Sequence, residues 1–105
     1  MERSMDFKTL VQALERTEQE LKEERANTLA SAGRKLEKLV VQLQTLRAHI
    51  ESLPETQRAS HVEAYQELHK EAHHQLWCLV VQREAVGLRR HDELAHSYPI
   101  PPKWQ

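Results

Sequence analysis

The sequence predicts an all-α protein: an antiparallel two-helix hairpin of coiled-coil type, which pairs as a dimer into a four-helix bundle and ends in an extended, proline-rich C-terminal tail. Apolar residues recur at helical spacing along two long stretches, and Pro54 separates these stretches. With only 2 glycines and aromatic residues at 5%, the composition is typical of long helices. The other three prolines fall within the last seven residues. All 105 residues are therefore expected to form one helical-hairpin domain.

The first helix is expected at residues 6–53. At about 100° per residue, its apolar side chains keep to one stripe. Asp6 or Ser4 can cap its start, and Pro54 ends it because the residue before a proline avoids the helical conformation. A kink or break at residues 26–33 is an alternative, since this stretch holds several residues of low helix propensity. The stripe consists of Phe7, Leu10, Val11, Leu14, Leu21, Leu29, Ala32, Leu36, Leu39, Leu43, Leu46, Ile50 and Leu53.

The second helix is expected at residues 55–97. A proline followed by an acidic residue is typical of a helix start. The apolar stripe continues in phase across Gly87 to Leu94, and Pro99 then ends the helix. Residues 98–105 hold too much proline for a helix and are expected to be extended, close to polyproline II. The second stripe consists of Val62, Tyr65, Leu68, Ala72, Leu76, Leu79, Val80, Val86 and Leu94.

Two long amphipathic helices joined at one proline are expected to turn back on each other, because each stripe needs an apolar partner. If the turn centres on Pro54, residues at equal sequence distances before and after Pro54 face each other. A single hairpin leaves one side of each helix open, so dimerisation into a four-helix bundle is the ordinary remedy at this size. The expected facing pairs include Leu43 with Tyr65, Leu36 with Ala72, Leu14 with Leu94 and Leu10 with Tyr98.

A second apolar surface is expected on the outer side of the second helix. Trp77, Val81 and Leu88 lie roughly 120° to 160° from the centre of the stripe that faces the first helix. Because these side chains need a cover of their own, they are the predicted interface with a second copy of the chain or with another protein.

The tail holds three apolar side chains that are unfavourable in water, Tyr98, Ile100 and Trp104. Two interpretations are open. The tail can dock on its own hairpin or dimer, with Ile100 and Trp104 near Phe7 and Leu10, or it can serve as a pre-extended ligand for an aromatic-lined pocket on another protein.

Four charged residues, Glu18, Arg25, Arg83 and Arg90, fall within or beside the stripes. The expected register places Arg25 opposite Arg83 and Glu18 opposite Arg90. The arginine stems can cover apolar surface while their guanidinium groups reach water. The four residues can also form a polar layer that fixes register and oligomeric state, or the two facing arginines can bind an anion.

The seven histidines raise the question of a metal site. His69 and His73 have the i, i+4 spacing that brings two imidazoles to one helix face, so they are the candidates for metal ligands. The sequence also contains two Glu-x-x-His pairs, the spacing that di-iron bundles use: Glu71 with His74 and Glu93 with His96. A di-iron site would need a further inward Glu from each of two other helices, whereas Glu71 and His74 point well away from the stripe and His96 lies near the end of its helix. No metal and no cofactor are therefore predicted.

The remaining features favour a non-catalytic protein–protein interaction or adaptor module. A net charge of −1 gives no basic field for nucleic acid, and "GLRRH" is only a small basic patch. The sequence contains no Gly-rich phosphate loop and no nucleophile with a base, so an enzyme is not expected. Its one cysteine and the lack of a long apolar run suggest the cytoplasm and no membrane contact. The alternatives are a metal- or small-ligand-binding bundle and a small nucleic-acid-binding hairpin.

Overall fold

The computed structural model describes residues 6–105 and confirms an all-α hairpin. Helix α1 spans Phe7–Ser52, helix α2 spans Ala59–Ala85, and a short helix α3 spans Leu94–Ser97. A 3₁₀ turn at Glu55–Gln57 connects the two long helices, which pack against each other over much of the length of α2. No strand occurs in residues 6–105. The molecule is a rod that measures 84 × 28 × 15 Å.

Helix α1 is uninterrupted for 46 residues, so the alternative of a break at residues 26–33 is not realised. The low propensity of this stretch is outweighed because residues 32 and 33 are buried against the rest of the fold. Asp6 occupies the N-cap position without a side-chain hydrogen bond to the helix, and Ser4 lies outside the described residues. At the other end Leu53 is extended, with φ −92° and ψ 150°, as expected before Pro54.

Arg58 secures the turn between the long helices. Its Nε donates a hydrogen bond to the carbonyl oxygen of Leu53 at 2.9 Å, and its terminal nitrogen donates to that of Glu51 at 3.2 Å. The last carbonyls of a helix have no partner within the helix, so this arginine caps the end of α1. The 3₁₀ turn moves the start of α2 to Ala59, four residues after the expected start at residue 55.

The apolar core extends along the hairpin from this turn as far as Ala32 of α1 and Leu79 of α2. Leu36, Leu43, Ile50 and Tyr65 are fully buried, and small side chains lie among the large ones, as close packing requires. The buried residues are Ala32, Leu36, Leu39, Val40, Leu43 and Ile50 of α1, Tyr65, Ala72 and Leu79 of α2, and Leu94 of α3.

The expected end of the second helix at residue 97 is wrong, because a Schellman motif ends α2 at Ala85. Gly87 has a φ of 91°, in the left-handed region that favours glycine. The N–H of Leu88 donates to the carbonyl of Arg83 at 2.9 Å, and that of Gly87 donates to the carbonyl of Glu84 at 3.0 Å. These are the two hydrogen bonds that define the motif.

The chain then reverses and runs back along the hairpin. The expected pairs of Leu14 with Leu94 and of Leu10 with Tyr98 are therefore wrong. Leu94 is buried in the core, and the hydroxyl of Tyr98 lies against the backbone of Gly33 in the middle of α1. Residues 98–105 contain neither helix nor strand.

Because α2 stops early, the first turns of α1 extend beyond the hairpin. We call residues 7–20 the N-terminal overhang. Its apolar side chains Phe7, Leu10 and Leu14 are 77%, 43% and 58% exposed. The stripe predicted for α1 thus continues past the point where α2 can cover it.

Candidate interaction surfaces

The tail lies in a groove that both long helices line, which we call the tail groove and define by Arg47, Tyr65, Gln66 and His69. Tyr65 is fully buried, but its hydroxyl reaches the groove and donates to the carbonyl of Pro102 at 2.7 Å. Arg47 of α1 donates to the same carbonyl at 3.2 Å and to the hydroxyl of Tyr65 at 3.3 Å. Side chains of both long helices therefore donate hydrogen bonds to the carbonyl of Pro102.

Two further side chains of α2 bind the tail backbone. The amide nitrogen of Gln66 donates to the carbonyl of Trp104 at 2.9 Å, and its amide oxygen accepts from the N–H of the same residue at 3.3 Å. His69 Nε2 lies 2.9 Å from the carbonyl of Pro101. Since a carbonyl only accepts, this nitrogen carries a proton and donates. Gln66 binds one peptide unit on each side of Trp104 through both ends of its amide.

The indole of Trp104 packs on the polar side chains that line the groove. The guanidinium carbon of Arg47 lies 4.8 Å from the centre of its ring, within cation–π range. The ring meets that of Tyr65 edge-on, with centroids 5.8 Å apart. Tyr98, Ile100 and Trp104 are all partly buried against the core.

The expected position of these tail side chains near Phe7 and Leu10 is wrong. The reversal at Gly87 directs the tail toward the Pro54 turn, at the opposite end of the hairpin from the overhang. Gln105 consequently lies beside Glu55 and Arg58.

The second predicted interface, on the outer side of α2, is exposed. Trp77, Val81 and Leu88 are 61%, 44% and 45% exposed. His74 stacks on the indole of Trp77 with a centroid distance of 6.1 Å, and its Nε2 lies 3.6 Å from the thiol of the half-buried Cys78. Leu88 belongs to the turn that follows α2, not to the helix.

The structure does not bring the four charged stripe residues into one layer. Arg25 lines a hollow with Leu21, Gln82 and Val86. Arg83 instead faces the turn after α2, and Glu18 and Arg90 are exposed, the first in the overhang and the second in the turn.

Arg83 stabilises the turn through hydrogen bonds that the sequence did not suggest. It donates to the carbonyl of Arg90 at 2.8 Å and to Nδ1 of His91 at 3.3 Å. Because Nδ1 accepts, the proton of the imidazole lies on Nε2, which donates to Glu84 at 3.2 Å. Arg83 therefore ties the end of α2 to the chain that reverses after it.

His69 and His73 lie together, as their spacing predicts, with ring centroids 4.6 Å apart. Partial burial, and to a lesser extent the charge of His69, lower the pKa of His73 below its usual value of 6.5. Within residues 6–105, no group of three or more His, Cys, Asp or Glu side chains is placed to hold a metal ion. The two imidazoles form a pair without further ligands in that part of the chain.

No helix in the described range has both the length and the apolar character that crossing a bilayer requires. Comparisons of the sequence with known protein families and with curated proteins find no match, and none is found among solved structures.

Proposed function

We propose that this chain is a non-catalytic protein–protein interaction module that self-associates, and that the N-terminal overhang binds the overhang of a second copy. The observation that carries the proposal is the apolar stripe of α1, which continues beyond the end of α2. Phe7, Leu10 and Leu14 stay exposed on it. A contiguous exposed apolar stripe on a helix favours packing against another helix.

The geometry of the hairpin favours an antiparallel arrangement of the two overhangs. Helix α2 already occupies the stripe of α1 from Ile50 to about Leu29, where the buried and half-buried positions lie. In a parallel arrangement, the α2 helix of the second copy would be directed into the space along α1 that the chain's own α2 already fills. An antiparallel partner needs only the free 14 residues of each chain, about 21 Å of helix.

The charges of the overhang support the same orientation. Lys8 is the only charged side chain in residues 7–13, whereas Glu15, Glu18 and Glu20 outnumber Arg16 in residues 14–20. Antiparallel packing opposes the basic half of one overhang to the acidic half of the other. Such pairs are worth only about 0.2–0.5 kcal/mol each, so they influence orientation more than affinity.

The outer side of α2, with Trp77 and Val81, is the alternative surface for the second copy. Pairing there would form a compact four-helix bundle, because the two hairpins would lie side by side. The Leu and Phe side chains of the overhang favour the first arrangement, since without it one end of α1 has an apolar face in water.

Sedimentation velocity at micromolar concentration tests the proposal with three variants. Leu10→Glu/Leu14→Glu places charge on the exposed stripe, where neither side chain supports the hairpin core. Thr9→Glu/Gln12→Glu adds the same charge on the opposite face of the same turns and is the matched control. Val81→Glu examines the outer side of α2.

We expect the native chain and the control to sediment as dimers and Leu10→Glu/Leu14→Glu to sediment as a monomer with unchanged helix content. A native chain that is monomeric throughout the micromolar range would contradict self-association. If Val81→Glu dissociates the dimer and Leu10→Glu/Leu14→Glu has no effect, the interface lies on the outer side of α2 instead.

A further inference from the structure

We propose that the tail groove is a binding site for an extended segment with the pattern apolar, proline, any residue, any residue, tryptophan. Residues 100–104 of the chain occupy this groove, and a segment of the same chemistry on a partner protein displaces them. This proposal goes beyond self-association, because the groove and the overhang share no residue.

The hydrogen bonds in the groove are those of a peptide-binding site. Every hydrogen bond between the four groove side chains and the tail is made to a backbone atom of the tail. These atoms are the carbonyls of Pro101, Pro102 and Trp104 and the N–H of Trp104. Recognition therefore needs an extended backbone with free carbonyls. Proline supplies such a backbone at low entropic cost, because its ring already restricts the chain to that conformation.

The side chains of the tail define the pattern. Ile100, Pro101 and Trp104 are partly buried, whereas Pro102 and Lys103 are exposed. Trp104 contributes most of the chemistry that distinguishes one ligand from another, through its ring contacts with Arg47 and Tyr65. The two exposed positions leave room for other residues.

The side chains that form the groove do not come from the tail. All four of them belong to α1 and α2, and the hydroxyl of Tyr65 keeps its hydrogen bond with Arg47 at 3.3 Å. No buried hydroxyl is then left without a partner, so release avoids the penalty for an unsatisfied polar group. The turn that tethers the tail, residues 86–93, is largely exposed.

The chain's own tail then acts as an intramolecular competitor. A short tether gives it an effective concentration in the millimolar range, so that a free ligand competes poorly until the tail is weakened. Weakening the tail in the full-length chain should thus reveal binding in trans.

The test uses a fluorescein-labelled peptide of sequence YPIPPKWQ and the full-length chain carrying Trp104→Ala. Fluorescence anisotropy should give saturable binding at least about tenfold tighter than to the native chain. Adding Gln66→Ala in the Trp104→Ala background should remove it, because Gln66 holds the peptide unit on each side of the tryptophan. Trp104→Phe, which keeps an aromatic ring, serves if Trp104→Ala does not fold.

Two peptide controls test the pattern. A peptide with glutamate in place of lysine should bind as well as the original, since Lys103 is exposed. The reversed sequence QWKPPIPY should not bind, since its carbonyls point the wrong way along the groove.

Two outcomes would overturn the proposal. The first is a folded Trp104→Ala or Trp104→Phe chain that does not bind the peptide, or that binds the reversed peptide equally. The second is a native dimer that Trp104→Ala dissociates, because the tail would then pass into the groove of a second copy.

Discussion

Gly33 and Tyr98 are in direct contact across the hairpin: a Cβ atom at Gly33 would lie 2.5 Å from the hydroxyl oxygen of Tyr98. The lack of a side chain at this point of α1 is what lets the chain that follows α3 lie close to the helix. The glycine therefore has a packing role that its low helix propensity alone would not suggest.

Gly33→Ala is expected to destabilise the native chain, even though alanine in a helix is normally favourable by about 1 kcal/mol relative to glycine. The new methyl group would displace the hydroxyl of Tyr98, and such overpacking costs about 1–3 kcal/mol. Urea unfolding followed by circular dichroism measures the net change in the free energy of unfolding.

The same substitution in a Tyr98→Phe chain is expected to stabilise by up to about 1 kcal/mol. Without the hydroxyl, the nearest ring carbon lies 3.6 Å from the new Cβ, which is an ordinary contact. Equal effects of Gly33→Ala in both backgrounds would contradict the packing role.

Gly87→Ala is expected to lower the free energy of unfolding by about 1 kcal/mol through backbone conformation alone. The φ of 91° is unfavourable for any side chain, while no atom lies within 4 Å of a Cβ built at this site. Gly87→Asn should lose less, because asparagine tolerates left-handed conformations better. An alanine variant as stable as the native chain in the same urea titration would show that α2 does not need this ending.

Tyr65→Phe is expected to cost about 1 kcal/mol of stability and to loosen the tail, because the carbonyl of Pro102 loses its closest donor. A Trp77→Phe background isolates the emission of Trp104, and the substitution is mild because Trp77 is 61% exposed. The emission should shift to longer wavelength in Tyr65→Phe. Tyr98→Phe is the control, because it removes the same group, a tyrosine hydroxyl, at another position. It should leave the emission wavelength of Trp104 unchanged.

Small-angle scattering should distinguish the two dimers by length. Overlapping overhangs give a rod of about 147 Å, which is twice the 84 Å of one chain less an overlap of about 21 Å. Side-by-side hairpins remain close to the length of one chain. A dimer whose longest dimension stays near 84 Å would therefore contradict pairing through the overhang.

The hairpin could be predicted because the apolar patterns that indicate its two helices extend over many residues. The stripe of α1 and the single interior proline leave few alternatives for two amphipathic helices, and the structure confirms that part of the fold. The sequence predicts an end of α2 that is too late because Leu94 continues the phase of the stripe. Gly87 followed by Leu88 was the competing signal, since glycine with an apolar residue after it is typical of a Schellman ending.

The tail groove could not be found from the sequence for a different reason. Arg47 and Gln66 lie on different helices, and both bind backbone atoms of an irregular segment. Such contacts leave no periodicity in the sequence. Gly33 had a visible signal, a glycine in the middle of a helix, but its partner lies 65 positions further along the chain.

The continuity of α1 also gives the molecule the properties of a spacer. The overhang lies at one end of this helix and Arg47 near the other, with no break between them. From Leu14 to Arg47 the axis measures about 50 Å. A ligand in the groove and a second copy at the overhang would thus be bound simultaneously without touching, at a separation that the helix itself keeps constant.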